Sequence, residues 1–242
     1  MSDYNQIWIN GPQYRIIPTK YPPINFFERY TPPELMEEAF EIETMTNERV
    51  RLEVGDLGQV AQEDRISGPG ASIVMAAFTH CGFPSRFTNG DFGIYYAALK
   101  LETAIKETAY HRERFLGFTE EPPCEIEMRV YKGTVSKPLL DITSENYRHL
   151  MNPNPDQYQP SQQFGAKIKA ENHWGILYPS VRHKEGLCLA AMRPPTVSIP
   201  VQSKLLAYHW NGEHIATVYE KKQMLINFES EKEEKEHGLS LC

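Results

Sequence analysis

Residues 94–108 read Ile-Tyr-Tyr-Ala-Ala-Leu-Lys-Leu-Glu-Thr-Ala-Ile-Lys-Glu-Thr, and the patterning changes halfway along. Gly93 to Ala98 is a short apolar and aromatic run of strand length. From residue 100 to 114, Leu101, Ala104, Ile105 and Thr108, followed by Phe115, recur at helical spacing. Ahead of both lies Arg86-Phe-Thr-Asn-Gly-Asp, a turn signal through Asn89-Gly90. The order is therefore turn, strand, helix. Successive strand side chains point to opposite faces, so of Tyr95 and Tyr96 one belongs to the core.

Downstream, residues 125–135 (EIEMRVYKGTV) alternate with the period of a half-buried strand. Pro160 to Asn172 reads as a helix, while Gly175-Ile-Leu-Tyr-Pro-Ser and Leu187-Cys-Leu-Ala-Ala-Met read as strands. Two alternating runs flank Asn211-Gly212, the strongest hairpin signal in the chain. Upstream, residues 68–72 are a breaker and Ile73 to Phe78 a compact apolar segment. The first 30 residues, rich in Pro, Tyr and Ile, read as extended or looping. Thr31 before Pro32 and Pro33 starts a helix whose stripe, Leu35, Met36, Ala39, Phe40 and Ile42, runs to about Asn47. These elements predict one α+β domain over 66–228, an N-terminal elaboration over 1–65 packed on it, and a charged, solvated tail over 229–242.

The composition, 40% hydrophobic and 24% charged over 242 residues, suits a sizeable core. No apolar run approaches the roughly 18 residues a membrane helix needs. The N-terminus lacks the basic and apolar regions of a secretory signal, so a cytoplasmic product is expected, with no membrane association. A net charge of −7 argues against a chain-wide nucleic-acid surface, although a few arginines focused in one cleft can still hold an anion. Cysteines 81, 124, 188 and 242 form no close pair, and His80 beside Cys81 or His183 near Cys188 is too sparse for a ligand set. No metal is expected. Gly68-Pro69-Gly70 lacks the lysine of a phosphate loop, and Ser180 with His183 has no nucleophile-elbow context.

Three segments carry a resemblance: Ser85-Arg-Phe-Thr-Asn-Gly, the stretch from Ile94 to Thr108, and Gly175-Ile-Leu-Tyr-Pro-Ser-Val-Arg. Together they resemble the RES domain family over about residues 66–220, with the family's arginine, tyrosine, glutamate and serine falling on Arg86, Tyr96, Glu107 and Ser180. Arg-Phe-Thr stands where many members have Gly-Arg-Trp-Asn, and a long region precedes the core. The resemblance implies an ADP-ribosyltransferase-like fold of short mixed or antiparallel sheets with flanking helices. It implies NAD as substrate and cleavage of the nicotinamide–ribose bond by hydrolysis or phosphorolysis. It also implies a cognate DNA-binding antitoxin of the Xre type that occludes the site, and a homodimer is a further expectation. The alternatives are transfer of ADP-ribose to a protein, and an inactive interaction module.

The residue types suit that chemistry. Breaking the N-glycosidic bond expels neutral nicotinamide and builds positive charge on the ribose, so one carboxylate suffices to orient the sugar and stabilise that charge. Glu107 is the candidate, against the plainer reading of a solvated helix face in which Lys106, His111 and Arg112 are its neighbours. Arg86 on its glycine-containing turn offers a planar fork to a pyrophosphate. Tyr96 can stack on a ring or bond a ribose oxygen. Ser180 reads as a small polar contact to NAD, and Arg182, two residues on, as a second phosphate contact. Arg15 is a further candidate for NAD binding and His111 for catalysis. For both, a structural role competes.

Overall fold

The computed structural model describes residues 4–19 and 55–222. The helix expected over 31–47 and the tail over 229–242 lie outside the described residues. Twelve regular elements matter for the site. They are β1 (Gln6–Ile7), β2 (Pro12–Pro18), α1 (Ser72–Thr79), β3 (Tyr95–Ala98), α2 (Leu101–Leu116) and β4 (Cys124–Thr134). β5 (Leu139–Asp141), α3 (Gln159–Ala170), β6 (Gly175–Pro179), β7 (Leu187–Ala191), β8 (Val201–Trp210) and β9 (Ile215–Glu220) complete the set. Short 3₁₀ turns, among them Glu145–Leu150 and Pro155–Gln157, join them.

The strands form one nine-stranded sheet in the order β1-β5-β6-β7-β3-β2-β4-β8-β9. Every pairing is antiparallel except β5 with β6. The architecture is α+β, as expected, with one continuous sheet in place of several short ones. β2 lies between β3 and β4, and its ladder with β4 runs from Pro12↔Thr134 to Pro18↔Met128. Its two prolines stand at its ends, where a missing N–H is least costly. The boundary expected at residue 65 therefore cuts through the sheet. Residues 12–18 are a central strand, paired with β3 on one side and β4 on the other.

Strand parity sorts the core into two layers. Ala98, Ile176, Tyr178, Cys188 and Ala190 face one side, with Phe87 and Ala104. Tyr95, Ala97, Leu177, Leu189 and Ala191 face the other, against Val74, Met75 and Phe78 of α1. The segment read only as apolar, 73–78, is thus a helix, its Val74 and Phe78 covering the back of the sheet. α2 covers the front, with Glu102 in its first turn and Arg114 in its last, each matched to the helix dipole. α3 presses close to the 86–87 turn: a Cβ on Gly165 would stand 1.9 Å from the Phe87 carbonyl oxygen. Only glycine permits that approach. The β8–β9 hairpin forms around Asn211-Gly212 through a loop of residues 211–214, in which Asn211 Oδ1 accepts the N–H groups of Glu213 and His214. Among the described residues no helix is long and apolar enough to cross a membrane.

Candidate active site

On the front of the sheet a cleft of about 470 Å³ opens between α2, the 84–86 turn and residues 155–158. Tyr96, Arg86 and Glu107, which come from β3, the preceding turn and α2, all line it. Parity explains the tyrosine. Tyr95 is fully buried on the back, where its hydroxyl meets Gln13, and so Tyr96 faces the front.

Glu107 Oε1 accepts a hydrogen bond from Ser180 Oγ at 2.5 Å. Cys188 Sγ stands 3.9 Å from the same oxygen. Burial first, and the Glu107 charge next, push the Cys188 thiol far above its usual range, so it is a neutral wall and not a nucleophile. Ser180 stands beside the cleft without lining it. Its hydroxyl, read from the sequence as a contact to NAD, donates to Glu107 and accepts the N–H groups of Arg182 and His183.

The Tyr96 hydroxyl accepts the Phe87 N–H at 3.1 Å and lies 2.8 Å from Ser85 Oγ. Burial pushes this phenol up to about 12. Because the hydroxyl ties β3 to the turn, the ring is what Tyr96 offers a ligand.

Arg86 is 7% exposed and far more committed than a surface fork. Its Nη1 donates to the carbonyls of Asn152 (2.9 Å) and Leu150 (3.4 Å), and its Nη2 to the Tyr158 hydroxyl (2.9 Å). The guanidinium lies 4.3 Å over the Tyr158 ring. Arg86 thus holds the 150–158 segment as the far wall of the cleft.

Arg182 is not among the residues that line the cleft. Its strand ends at Pro179, so the parity expected to align it with Ser180 is lost in the following turn. Its guanidinium stacks 3.4 Å over the Tyr110 ring and donates to the Pro153 carbonyl. Arg15 borders the cleft, but its guanidinium lies 4.4 Å over Tyr95 and donates to the Tyr96 carbonyl, between the splayed strands. Its Nε is buried without a partner, and burial lowers its pKa.

Sequence reasoning missed the opposite wall. Arg114 of α2 reaches Asp156 at 3.2 Å, and Tyr158 and Gln162 join the lining. Nothing in the spacing of MNPNPDQYQ signalled this, since its partners lie far away along the chain. Arg86 and Arg114 line the cleft against two carboxylates, Glu107 and Asp156, and the buried Arg15 guanidinium over Tyr95 adds a third positive charge behind it. The cleft is locally positive in a chain of net charge −7. His111 also lines it and is exposed. Crowding by protein, then Arg182, Arg112, Arg86 and Arg114, lower its pKa to about 4, so the imidazole is neutral at pH 7. Among the described residues no group of three or more His, Cys, Asp or Glu side chains is placed to hold a metal ion.

A mixed sheet flanked by helices, with a carboxylate held in an arginine-walled cleft, defines an α+β protein with one built polar site on its front face. The RES domain model matches residues 62–211, more than half of the chain, and the chain belongs to the RES domain family. The RES domain is related to toxin–antitoxin systems, and the family is associated with NAD-related enzymatic activity. A protein of Sinorhizobium fredii, the uncharacterized protein y4oC, is 25% identical over 216 residues, covering 89% of this chain and 90% of its own length.

Proposed function

We propose that this chain is a toxin-type enzyme that takes NAD into the front cleft and cleaves its nicotinamide–ribose bond. The observation that carries the reading is Glu107: a carboxylate lining the cleft, fixed by Ser180, with guanidiniums close by. The bond breaks with positive charge growing on the ribose and nicotinamide leaving neutral, so the reaction needs a held anion more than a strong acid. Glu107 supplies that anion. Cys188, Tyr178 and the Tyr96 ring give it an apolar surround in which its field is strong. Arg86 and Arg114, with the buried charge of Arg15 behind them, favour the pyrophosphate. Arg114 is held by an exposed pair with Asp156 and a loose contact over the Phe118 ring, so its fork is more easily drawn to a phosphate than that of Arg86.

The natural partner in this reading is an antitoxin that covers the cleft. Phe83, 83% exposed, stands next to Pro84 and Ser85 of the cleft lining, an apolar handle at the rim of the site.

The test is incubation of the purified chain with NAD while nicotinamide is measured, with and without phosphate. Release from free NAD is expected. Labelling of protein only, on addition of cell extract, would replace this reading with ADP-ribosyl transfer. No release and no labelling would leave a binding module.

A further inference from the structure

Ser180 is held from behind in a way that dictates what it can do. The N–H groups of Arg182 (3.1 Å) and His183 (2.9 Å) both donate to its Oγ. A hydroxyl has two lone pairs and one proton. With both lone pairs taken, the proton goes to Glu107 Oε1 at 2.5 Å, a far stronger acceptor than the Cys188 sulfur that also lies near the hydroxyl. The turn that presents those N–H groups is closed by Ser180 N–H to the Gly186 carbonyl (2.8 Å) and Gly186 N–H to the His183 carbonyl (2.9 Å).

The same turn is fastened to α2 by an imidazole. His183 Nδ1 lies 2.8 Å from Thr103 Oγ1, and Nε2 lies 3.4 Å from Glu102 Oε1. The carboxylate calls for the proton on Nε2, which leaves Nδ1 to accept from the Thr103 hydroxyl. Thr103 is fully buried, so that hydroxyl has no water to turn to. Gly186 makes the fit possible: a Cβ there would meet Thr103 Oγ1 at 2.8 Å and His183 Nδ1 at 3.0 Å. Thr103 and Glu107 are one helical turn apart on one face of α2. The 180–186 turn therefore grips the helix at two successive levels, through His183 and through Ser180.

We propose that His183, clasped to Thr103, is a positioning residue for Glu107 and acts through Ser180. The inference rests on the NAD-cleaving reading for its catalytic consequence and on geometry alone for its structural one. Loss of the clasp frees the turn, Ser180 no longer aims its proton, and Glu107 leaves its rotamer. Small misplacements of a catalytic group cost on the order of tenfold to a hundredfold in rate.

Thr103→Val, His183→Ala and His183→Asn in the full chain test this. Asn places an acceptor where Nδ1 stands. Thr103→Val and His183→Ala are expected to lower kcat for nicotinamide release by about tenfold or more with KM for NAD unchanged, and His183→Asn to restore most of it. Crystal structures of the same variants give a readout that needs no activity, with Glu107 turned away from Ser180 in the first two and returned in the third. If the unmodified chain releases no nicotinamide, the functional reading fails and the Glu107 rotamer still decides the clasp. Should His183→Ala prove unfolded, Thr103→Val carries the test. Unmoved Glu107 and unchanged kcat in Thr103→Val overturn the proposal, as does His183→Asn behaving no better than His183→Ala.

Discussion

Ser180 and Glu107, 73 residues apart in the chain, meet at 2.5 Å, the serine donating and the carboxylate accepting. One strand end and one helix face are thereby joined at the atom on which the proposed reaction depends.

Glu107→Gln keeps the shape of the side chain and removes its charge. Nicotinamide release is expected to fall at least a hundredfold, the scale of losing a principal electrostatic contact in a transition state. Thermal unfolding should change by only a few degrees, because the group is partly exposed. A folded Glu107→Gln protein with full turnover would remove the residue from the mechanism.

Ser180→Ala should lower kcat by less than Glu107→Gln does and leave the affinity for NAD nearly unchanged. Its contact is with the carboxylate, and it does not line the cleft. Calorimetric titration with NAD checks the second half. A large loss of affinity would restore the direct contact that the geometry argues against.

Arg86→Ala is expected to destabilise the fold by about 2–4 kcal/mol, since it strands the Leu150 and Asn152 carbonyls and the Tyr158 hydroxyl. The denaturation midpoint reads this directly. Arg86→Lys should recover little, because one ammonium cannot replace a fork that spans two carbonyls and a phenol. An Arg86→Ala protein of unchanged stability would show that the 150–158 wall stands without it.

The pair Asp64–Arg193 is a control far from the chemistry. Arg193 Nε and Nη2 meet the two Asp64 carboxylate oxygens at 2.6 and 2.7 Å, and the guanidinium lies 3.9 Å from the Trp174 ring centroid. Both side chains are mostly buried, so Asp64→Ala should cost on the order of 3 kcal/mol. Turnover per folded molecule, measured at 15 °C, should be unaffected.

His111 supplies the pH prediction. Its pKa falls from 6.5 to about 4 on folding. Between those values the unfolded chain carries more protons, so this residue makes stability drop as pH falls from about 6.5 to 4. His111→Gln should flatten that part of the stability profile. Imidazole NMR should show a midpoint near 4, moving upward when a polyanion enters the cleft and offsets the surrounding guanidiniums.

Local order was legible because periodicity and turn chemistry are local properties. The alternation in 125–135, the helical stripe in 100–114 and the Asn211-Gly212 turn each announced their element. The family pattern then named Arg86, Tyr96 and Glu107, and folding brought all three to one cleft. Tertiary structure alone decided the rest. It placed β2 mid-sheet, gave Arg86 to the carbonyls of 150–152, turned Arg182 onto Tyr110 and fixed Ser180 on Glu107. Strand order and hydrogen-bond partners depend on which distant segments pack together, and a linear pattern holds no record of distance in space.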